Sequence, residues 1–246
     1  MGKNAIISVF DKTNLDLIAN FLIKKKFTIY STGGTSQYLK GINIPHIEIS
    51  KYTKQKEILD GRVKTLHPKI FGGLLGTNSR NHIKEQKRRG IVIFDILVIN
   101  LYPFEETVRK TKDKSKIIEM IDIGGHSLIR AAVKNYNHTI PITNPSDYKN
   151  FIKAFPLKQT QRKIFAKKAI QQVANYDEAI FNWFDGNTKD EYELRYGENP
   201  HQNARAIVNN DKFAQLSGDK KLSYNNLLDL DAAVKIAYGV NTKNNI

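Results

Sequence analysis

The sequence predicts an α/β protein: a doubly wound, mainly parallel sheet, a C-terminal helical extension and part of a second domain. Two observations support this prediction. Strand-like apolar runs alternate with helical patterns over roughly the first 150 residues, as in sheets whose strands are joined by helices. Residues 93–99 are almost continuously apolar, which is typical of a parallel strand covered on both faces. Ligands of such sheets bind at the carboxyl ends of the strands.

The predicted strands are short runs of β-branched, aromatic and small apolar residues. They lie at residues 5–9, 27–30, 46–49, 93–99 and 139–142. The second strand runs directly into a Ser-Thr-Gly-Gly-Thr segment, and the fourth runs into Asn-Leu-Tyr-Pro-Phe. Both segments are therefore expected at the carboxyl edge of the sheet.

The predicted helices fill the intervals between strands, with apolar residues three or four positions apart. They cover residues 15–22, 36–39, 81–89, 127–135, 146–155 and 160–184. The last is the longest, and the Asp-Gly-Asn-Thr segment that follows it predicts a helix stop and a linker. We therefore expect a first domain over residues 1–187 and an incomplete second domain over residues 188–246, which is too short to bury a large core of its own.

Composition excludes several classes of protein. The 246-residue chain has no cysteine, which excludes disulfide bonds, thiolate metal sites and a cysteine nucleophile. No apolar run approaches the roughly 20 residues of a membrane-spanning helix, and the first residues lead into a strand rather than a signal peptide. We expect a soluble, cytoplasmic protein with no membrane partner.

The formal net charge of +15 raises the question of nucleic-acid binding. The lysines are, however, spread along the chain. The densest basic runs, at residues 24–26, 84–89 and 158–168, lie on or beside predicted amphipathic helices, where charge usually faces solvent. An anionic phosphate substrate explains the cations of the motifs better, so we expect no nucleic-acid partner.

One loop concentrates positive charge. Within ten residues it carries Arg62, Lys64, His67 and Lys69. Pro68 and the glycine pair that follows exclude a long solvated helix, and a loop on a rigid scaffold can aim several donors at one anion. The alternatives from the residues alone are a surface or salt-bridged lysine at position 64 and a structural histidine at position 67.

A second motif predicts a phosphate site where a strand meets a helix. It consists of Ser31, Thr32, Gly33, Gly34 and Thr35. The glycines let backbone N–H groups approach an oxyanion, and the helix N-terminus adds partial positive charge. The alternative is an ordinary turn with a Ser/Thr cap, because the spacing matches neither of the common glycine-rich nucleotide motifs.

Two further motifs are expected to place polar side chains at the carboxyl edge of the predicted sheet. Tyr102 follows the most apolar strand, where open sheets bind ligands, although it could simply cover the strand end. Asp122 stands before Ile123, Gly124 and Gly125 at the start of a predicted helix, where a structural cap is the alternative to catalysis.

Together, in this order and spacing, the four motifs resemble the bifunctional purine-biosynthesis family that joins an inosine monophosphate (IMP) cyclohydrolase to an AICAR transformylase. The resemblance covers essentially the whole chain. It implies a methylglyoxal-synthase-like fold for the first domain and the opening of a transformylase domain after it, in which Arg195 and Tyr196 are vestigial substrate-binding residues. The implied reaction closes 5-formamidoimidazole-4-carboxamide ribonucleotide to IMP with loss of water and needs no cofactor.

The resemblance also implies roles for individual residues. The catalytic set is Lys64, Tyr102, Asp122 and Lys134, with Asp122 and Lys134 as an opposite-charge pair that relays protons. The substrate- and phosphate-binding set is Lys12, Ser31, Thr32, Gly33, Gly34, Thr35, Arg62, Thr65, Asn100, Ile123 and Gly124.

Some positions depart from the family pattern. Phe10, Asn14 and His126 stand where the family commonly has serine, glycine and a proline or small apolar residue. The Lys-His pair that serves formyl transfer is not found, so we expect no transformylase activity from this chain alone. 10-Formyltetrahydrofolate would be a cofactor only if a complete transformylase domain is supplied elsewhere.

The expected partners are a purine ribonucleotide intermediate, a second copy in a homodimer and, if the gene is split, a separately encoded transformylase remainder. Two alternatives to the cyclohydrolase stay open. One is a phosphate-binding enzyme similar to methylglyoxal synthase, against which the cation loop and the motif at Asp122 argue. The other is a non-catalytic remnant that acts as a dimerising subunit.

Overall fold

The structure is a computed structural model that describes residues 3–186, 189–209 and 221–239. The chain divides into two compact units, Met1–Ile180 and Phe181–Ile246. The domain boundary predicted between residues 187 and 188 lies outside the described residues, as does the sequence after residue 239.

A five-stranded parallel sheet forms the centre of the first unit. Its strands are β1 (Lys3–Ser8), β2 (Phe27–Ser31), β3 (Ile47–Glu48), β4 (Ile96–Ile99) and β5 (Ile140–Ile142). Their order across the sheet is β3-β2-β1-β4-β5, and every neighbouring pair is parallel. The chain runs outwards from β1 to β3 and then crosses to β4 and β5 on the other side. The winding direction therefore reverses between β1 and β4, where open sheets bind their ligands.

Helices connect the strands. They are α1 (Leu15–Lys24), α2 (Gly33–Gly41), α3 (Ile49–Thr53), α4 (Pro68–Leu75), α5 (Arg80–Arg89), α6 (Phe104–Lys110), α7 (Lys114–Glu119), α8 (Gly124–Lys134), α9 (Tyr148–Ala154) and α10 (Gln159–Phe184). A 3-10 turn at Pro145–Asp147 precedes α9. The long helix was predicted to within one residue of its observed start, whereas α3, α4, α6 and α7 were not predicted.

Both faces of the central strand β1 are buried. Ala5 and Ile7 of β1 pack into an apolar cluster that also contains residues of α1, α9 and the start of α10. Ile6 lies between them in the strand and is equally buried, and alternation places its side chain on the opposite face. On that face Phe94 packs edge-on against Tyr30 and Tyr52. The predicted doubly wound α/β fold is confirmed.

Two predicted boundaries were wrong for local reasons. β4 begins at Ile96 rather than at residue 93, because Phe94 N–H donates to the Gly73 carbonyl and the Asn4 side chain donates to the Ile93 carbonyl. Helix α2 begins at Gly33 rather than at residue 36, so both glycines of the predicted phosphate motif belong to its first turn.

The second unit contains an antiparallel pair, β6 (Lys189–Glu193) with β7 (Arg205–Asn209), and helix α11 (Tyr224–Gly239). Arg195 and Tyr196 lie just after β6. The Arg195 N–H donates to the Leu222 carbonyl at 2.8 Å, and the Arg195 guanidinium lies 5.4 Å from the centre of the Tyr196 ring. Among the described helices of the whole chain, none has the length and apolar character needed to cross a membrane.

Candidate active site at the carboxyl edge of the sheet

A cavity of about 790 Å³ opens where β1, β2 and β4 end, and this volume is within the usual range of small-molecule sites. Its walls include twelve of the predicted residues: Lys12, Thr32, Gly34, Thr35, Arg62, Lys64, Thr65, Asn100, Tyr102, Asp122, Ile123 and Gly124. A second cavity of about 190 Å³ shares Thr32 and Lys64 with the first and is also lined by Ser31 and Gly33. The structure therefore brings together every predicted residue of the first unit except Lys134.

The turn from β2 into α2 presents backbone N–H groups to these cavities. The first helical hydrogen bonds run from the N–H groups of Thr35 and Ser36, both to the Thr32 carbonyl. Gly33 and Gly34 precede them, so their N–H groups are among those that a helix start leaves without an intrahelical acceptor. Gly33 has φ of +41°, a conformation that favours glycine. This geometry suits an anion.

The hydroxyl groups of the same motif have a different role. Ser31 donates to the Ile7 carbonyl at 2.9 Å, and Thr35 both donates to the Val9 carbonyl and accepts from the Val9 N–H at 2.9 Å. Thr32 and Ser8 share a hydroxyl contact of 3.0 Å. These side chains join the ends of β1 and β2, so the part of the motif that is free to meet a ligand is its backbone.

Lys64 lies on the cation loop at the junction of the two cavities. Its Nζ donates to Tyr102 Oη at 3.4 Å. A Cβ atom added to Gly33 would lie 4.0 Å from the same Nζ, and one added to Gly61 would lie 3.9 Å from it. The ammonium group is therefore close to the start of α2 and to the tyrosine after β4 at once.

The cation loop turns sharply before it reaches Lys64. Leu59, Asp60 and Gly61 have φ values of +55°, +53° and +86°, and an antiparallel bridge between Ile58 and Val63 closes the turn. Positive φ is costly for Leu59 and Asp60, because only glycine adopts it freely. The turn brings the side chain of Lys64 to the cavity.

Asp122 lies between Lys64 and the first turn of α8. Its Oδ1 accepts the Gly125 N–H at 2.6 Å, so the carboxyl group does serve as a structural cap. Burial raises the pKa of Asp122 above its usual value. The Gly125 N–H, the Lys64 ammonium and the Tyr102 N–H stabilise the charged form and oppose that rise in pKa. Capping and a part in proton transfer are therefore compatible for this carboxyl group.

Close packing fixes the start of α8 against the cation loop. A Cβ atom on Gly124 would lie 2.7 Å from the Thr65 hydroxyl, which is nearly fully buried. Any larger residue at position 124 would displace that hydroxyl or the helix. Ile123, beside it, is 58% exposed on the cavity wall and offers an apolar surface to a ligand.

Asn100 acts on the loop after β1. Its Oδ1 accepts the N–H groups of Phe10 at 2.6 Å and Asp11 at 3.0 Å, while its Nδ2 donates to the Asp11 carbonyl at 2.9 Å. The amide group is thus occupied by three backbone contacts. Asn100 lines the cavity, and its visible function is to hold the loop that carries Lys12.

Phe10 was noted only as a departure from the family pattern, and the structure gives it a place in the site. Its ring lies edge-on to the Tyr102 ring, with centroids 5.7 Å apart, and it remains 49% exposed on the cavity wall. Lys12 donates to the Phe10 carbonyl at 3.2 Å. An aromatic ring therefore stands where the resemblance led us to expect a hydroxyl group.

Arg62 is at the rim of the main cavity. Its guanidinium forms an ion pair with Glu119 at the end of α7, and both side chains are at least half exposed. An exposed pair of this kind contributes little to stability. The guanidinium is therefore able to exchange this partner for an anionic ligand.

Lys134 is the predicted residue that the structure separates from the others. It is the last residue of α8 and is exposed, whereas Asp122 precedes the first turn of the same helix. The helix places about 15 Å between its two ends. The expected ion pair of Asp122 with Lys134 was therefore wrong for this structure. Lys134 had been assigned from the family resemblance, which does not state how far apart the two side chains lie along the helix.

His67 has a structural role. Its Nδ1 accepts the Lys69 N–H at 3.1 Å and caps α4. Burial, and to a smaller extent the charge of Lys69, lower the pKa of His67. Across the described parts of the chain, no group of three or more His, Cys, Asp or Glu side chains has the arrangement of a metal site.

Tyr176 of α10 also contacts the site and was not predicted from the sequence. Its hydroxyl contacts the segment between α7 and α8 that carries Asp122, and its ring packs edge-on against Phe104 at 6.0 Å. A tyrosine within a regular amphipathic pattern gives no sign of such a contact, because the pattern describes the helix and not its neighbours.

Comparison with known protein families divides the chain into two matches. Residues 14–127 match the MGS-like domain, and residues 132–245 match the AICARFT/IMPCHase bienzyme family. The first match contains the cation loop and Asp122. The second contains α10 and residues 181–245 of the second unit.

Curated relatives match over nearly the full chain. Each of the following is described as the bifunctional purine biosynthesis protein PurH. The protein of Prochlorococcus marinus is 41% identical over 100% of this chain and 52% of its own length. That of Natranaerobius thermophilus is 41% identical over 96% and 50%, and that of Macrococcus caseolyticus is 43% identical over 94% and 49%. The chain thus spans about half the length of these relatives.

A solved structure shows the same fold. The crystal structure of ForH superposes with a TM-score of 0.67 and 26% sequence identity, over 75% of this chain and the whole of that one.

Proposed function

We propose that this chain, a homologue of the bifunctional purine biosynthesis proteins, is an enzyme of purine biosynthesis that closes the second ring of IMP. The substrate would be 5-formamidoimidazole-4-carboxamide ribonucleotide. The observation that supports the proposal best is the position of the Lys64 ammonium, 3.4 Å from the Tyr102 hydroxyl and close enough to Asp122 to affect its pKa.

The reaction needs an oriented substrate and proton transfers. The carboxamide nitrogen attacks the formyl carbon of the same molecule, and the formyl oxygen becomes a hydroxyl group. One proton leaves the carboxamide nitrogen, one leaves the formamido nitrogen, and both depart with that oxygen as water. The reaction involves no gain or loss of electrons. It therefore requires an oriented substrate and acid–base groups rather than a redox cofactor.

The roles follow from position and charge. Lys64 and Tyr102 are donors that stabilise the oxygen as negative charge develops on it. Asp122 is the proton acceptor, because its raised pKa brings its basicity closer to neutral pH than that of an exposed carboxylate. We do not extend this role to Lys134, which lies at the far end of α8.

The phosphate end of the substrate belongs at the start of α2. The N–H groups of Gly33 and Gly34 precede the first hydrogen bonds of the helix, and Lys12 and Arg62 add positive charge along the walls. Thr65 and Ile123 would contact the remainder of the ligand. The homodimer and any separately encoded partner remain predictions of the resemblance.

The test is a direct assay of the purified chain. Without added folate, it should convert the formylated ribonucleotide to IMP, followed by the change in ultraviolet absorbance and by chromatographic identification of IMP. The unformylated ribonucleotide should give no product, since it lacks the carbon that completes the ring. If the chain binds IMP but forms none, the proposal fails and the non-catalytic subunit is the better interpretation.

A further inference from the structure

The segment between α7 and α8 has two backbone groups that the neighbouring helices do not satisfy. They are the Met120 carbonyl and the Asp122 N–H. The Tyr176 hydroxyl meets both: it donates to the Met120 carbonyl and accepts the Asp122 N–H at 2.9 Å. One side-chain oxygen thus holds the backbone on both sides of Ile121, next to the carboxyl group of the site.

Tyr176 is itself held firmly. It is only 8% exposed, and its ring packs edge-on against Phe104, which is 1% exposed at the start of α6. Burial raises the pKa of Tyr176 to about 12, so the hydroxyl remains protonated and able to donate. A rigid, neutral hydroxyl group in this place can fix the backbone without adding charge to the site.

The helix that carries Tyr176 comes from a different part of the sequence. Tyr176 is 54 residues beyond Asp122 and lies outside the residues that match the MGS-like domain. Asp177, the next residue of α10, contacts His126 of α8 at 3.0 Å. Two successive residues of α10 therefore contact the segment that carries Asp122 and the helix that follows it.

We infer that Tyr176 is a positioning residue for ring closure, which fixes the backbone of residues 120–122 and so directs the Asp122 carboxyl group to the substrate. The inference rests on the proposed function. It also assigns α10 a part in the site, although none of its residues lines the main cavity.

The principal variant is Tyr176→Phe, which removes the hydroxyl and keeps the ring against Phe104. We expect kcat for IMP formation to fall about tenfold or more with KM within about threefold, because small misplacements of a reacting group cost much of the rate. Tyr52→Phe is the matched control. Its hydroxyl accepts the Val92 N–H at 2.8 Å, a contact of the same kind away from Asp122.

A pH profile separates positioning from general loss of stability. The groups around Asp122 are Lys64, Tyr102, His126, Tyr176 and Asp177. Without the Tyr176 hydroxyl the segment loosens and admits water. The burial that raises the Asp122 pKa then weakens, and the acid limb of kcat should move to lower pH. Tyr52→Phe should leave that limb in place.

The outcomes are distinct. If wild-type protein forms no IMP, the proposed function fails. If wild type is active and Tyr176→Phe matches Tyr52→Phe in kcat and in the acid limb, the inference about Tyr176 is wrong. Should Tyr176→Phe be unfolded at the assay temperature, as judged by its melting curve, wild type and both variants are compared at a lower temperature at which all three are folded. An unchanged kcat and acid limb in Tyr176→Phe would overturn the inference there as well.

Discussion

Lys64 and Asp122 show how single residues combine at the centre of the candidate site. The Lys64 ammonium touches the Tyr102 hydroxyl and opposes the rise in the Asp122 pKa that burial causes. Neither property is visible in the sequence, where Lys64 is one of many lysines. Substitution of Lys64 and substitution of Asp122 should therefore have different measurable effects.

Lys64→Ala should reduce kcat for ring closure by at least about a hundredfold, because it removes a charge aimed at the oxygen that becomes negative. Its melting curve should stay close to that of wild type. Lys69→Ala is the control, since Lys69 lies on α4 and does not line the main cavity. If the two variants turn over alike, Lys64 is a surface residue and not a catalytic one.

Asp122→Asn should separate charge from capping, because the asparagine oxygen can still accept the Gly125 N–H. The pKa of Asp122 is raised in the folded protein, so the folded state holds this proton to higher pH than the unfolded state does. Wild type therefore loses stability as pH rises from the usual carboxyl pKa to the raised pKa, and the loss persists above it.

The variant has no such proton. Its Tm minus that of wild type should therefore increase across that window and level off above it, while ring closure is lost at every pH. A difference in Tm that is constant between about pH 3 and pH 7 would mean that the Asp122 pKa is not raised by burial.

At the scale of elements, the start of α2 is the part of the site that should bind phosphate. Gly33→Val should raise KM more than it lowers kcat, because the side chain blocks the approach of an anion to the N–H groups and is strained at positive φ. Gly41→Ala at the other end of α2, where a Cβ meets nothing within 4 Å, is the control. Inosine and IMP should be compared as ligands. Equal weakening of both would show that this turn does not bind the phosphate.

Sequence patterns predicted elements better than they predicted contacts between elements. The strands were found because parallel strands buried on both faces need continuous apolar runs, as in β4. The strand ends then located most of the site, since parallel strands deliver their carboxyl ends to one edge. Lys134 was assigned from the family resemblance and paired with Asp122 by charge, and neither step took account of the length of α8. Tyr176 was missed because its role depends on how α10 packs, which no local pattern encodes.

At the scale of the whole molecule, the residues of the candidate site are divided between the two family matches. The residues of the main cavity come from the segment between Ser8 and Leu128, yet Tyr176 belongs to the second match. The first unit, Met1–Ile180, contains all of them. The proposed chemistry should therefore depend on that unit, which includes residues 159–180 of α10, and not on the remaining residues.

Limited proteolysis tests this division. We expect cleavage between α10 and β6, because this polar sequence follows the end of the helix and precedes the paired strand, and the N-terminal fragment should keep the ring-closure rate of the intact chain. The fragment would retain Tyr176, Asp177 and every residue of the main cavity. Loss of ring closure on cleavage there would mean that residues beyond α10 complete the site. Cleavage before Tyr176 is the informative contrast, since it should abolish ring closure even though the residues that line the cavity remain.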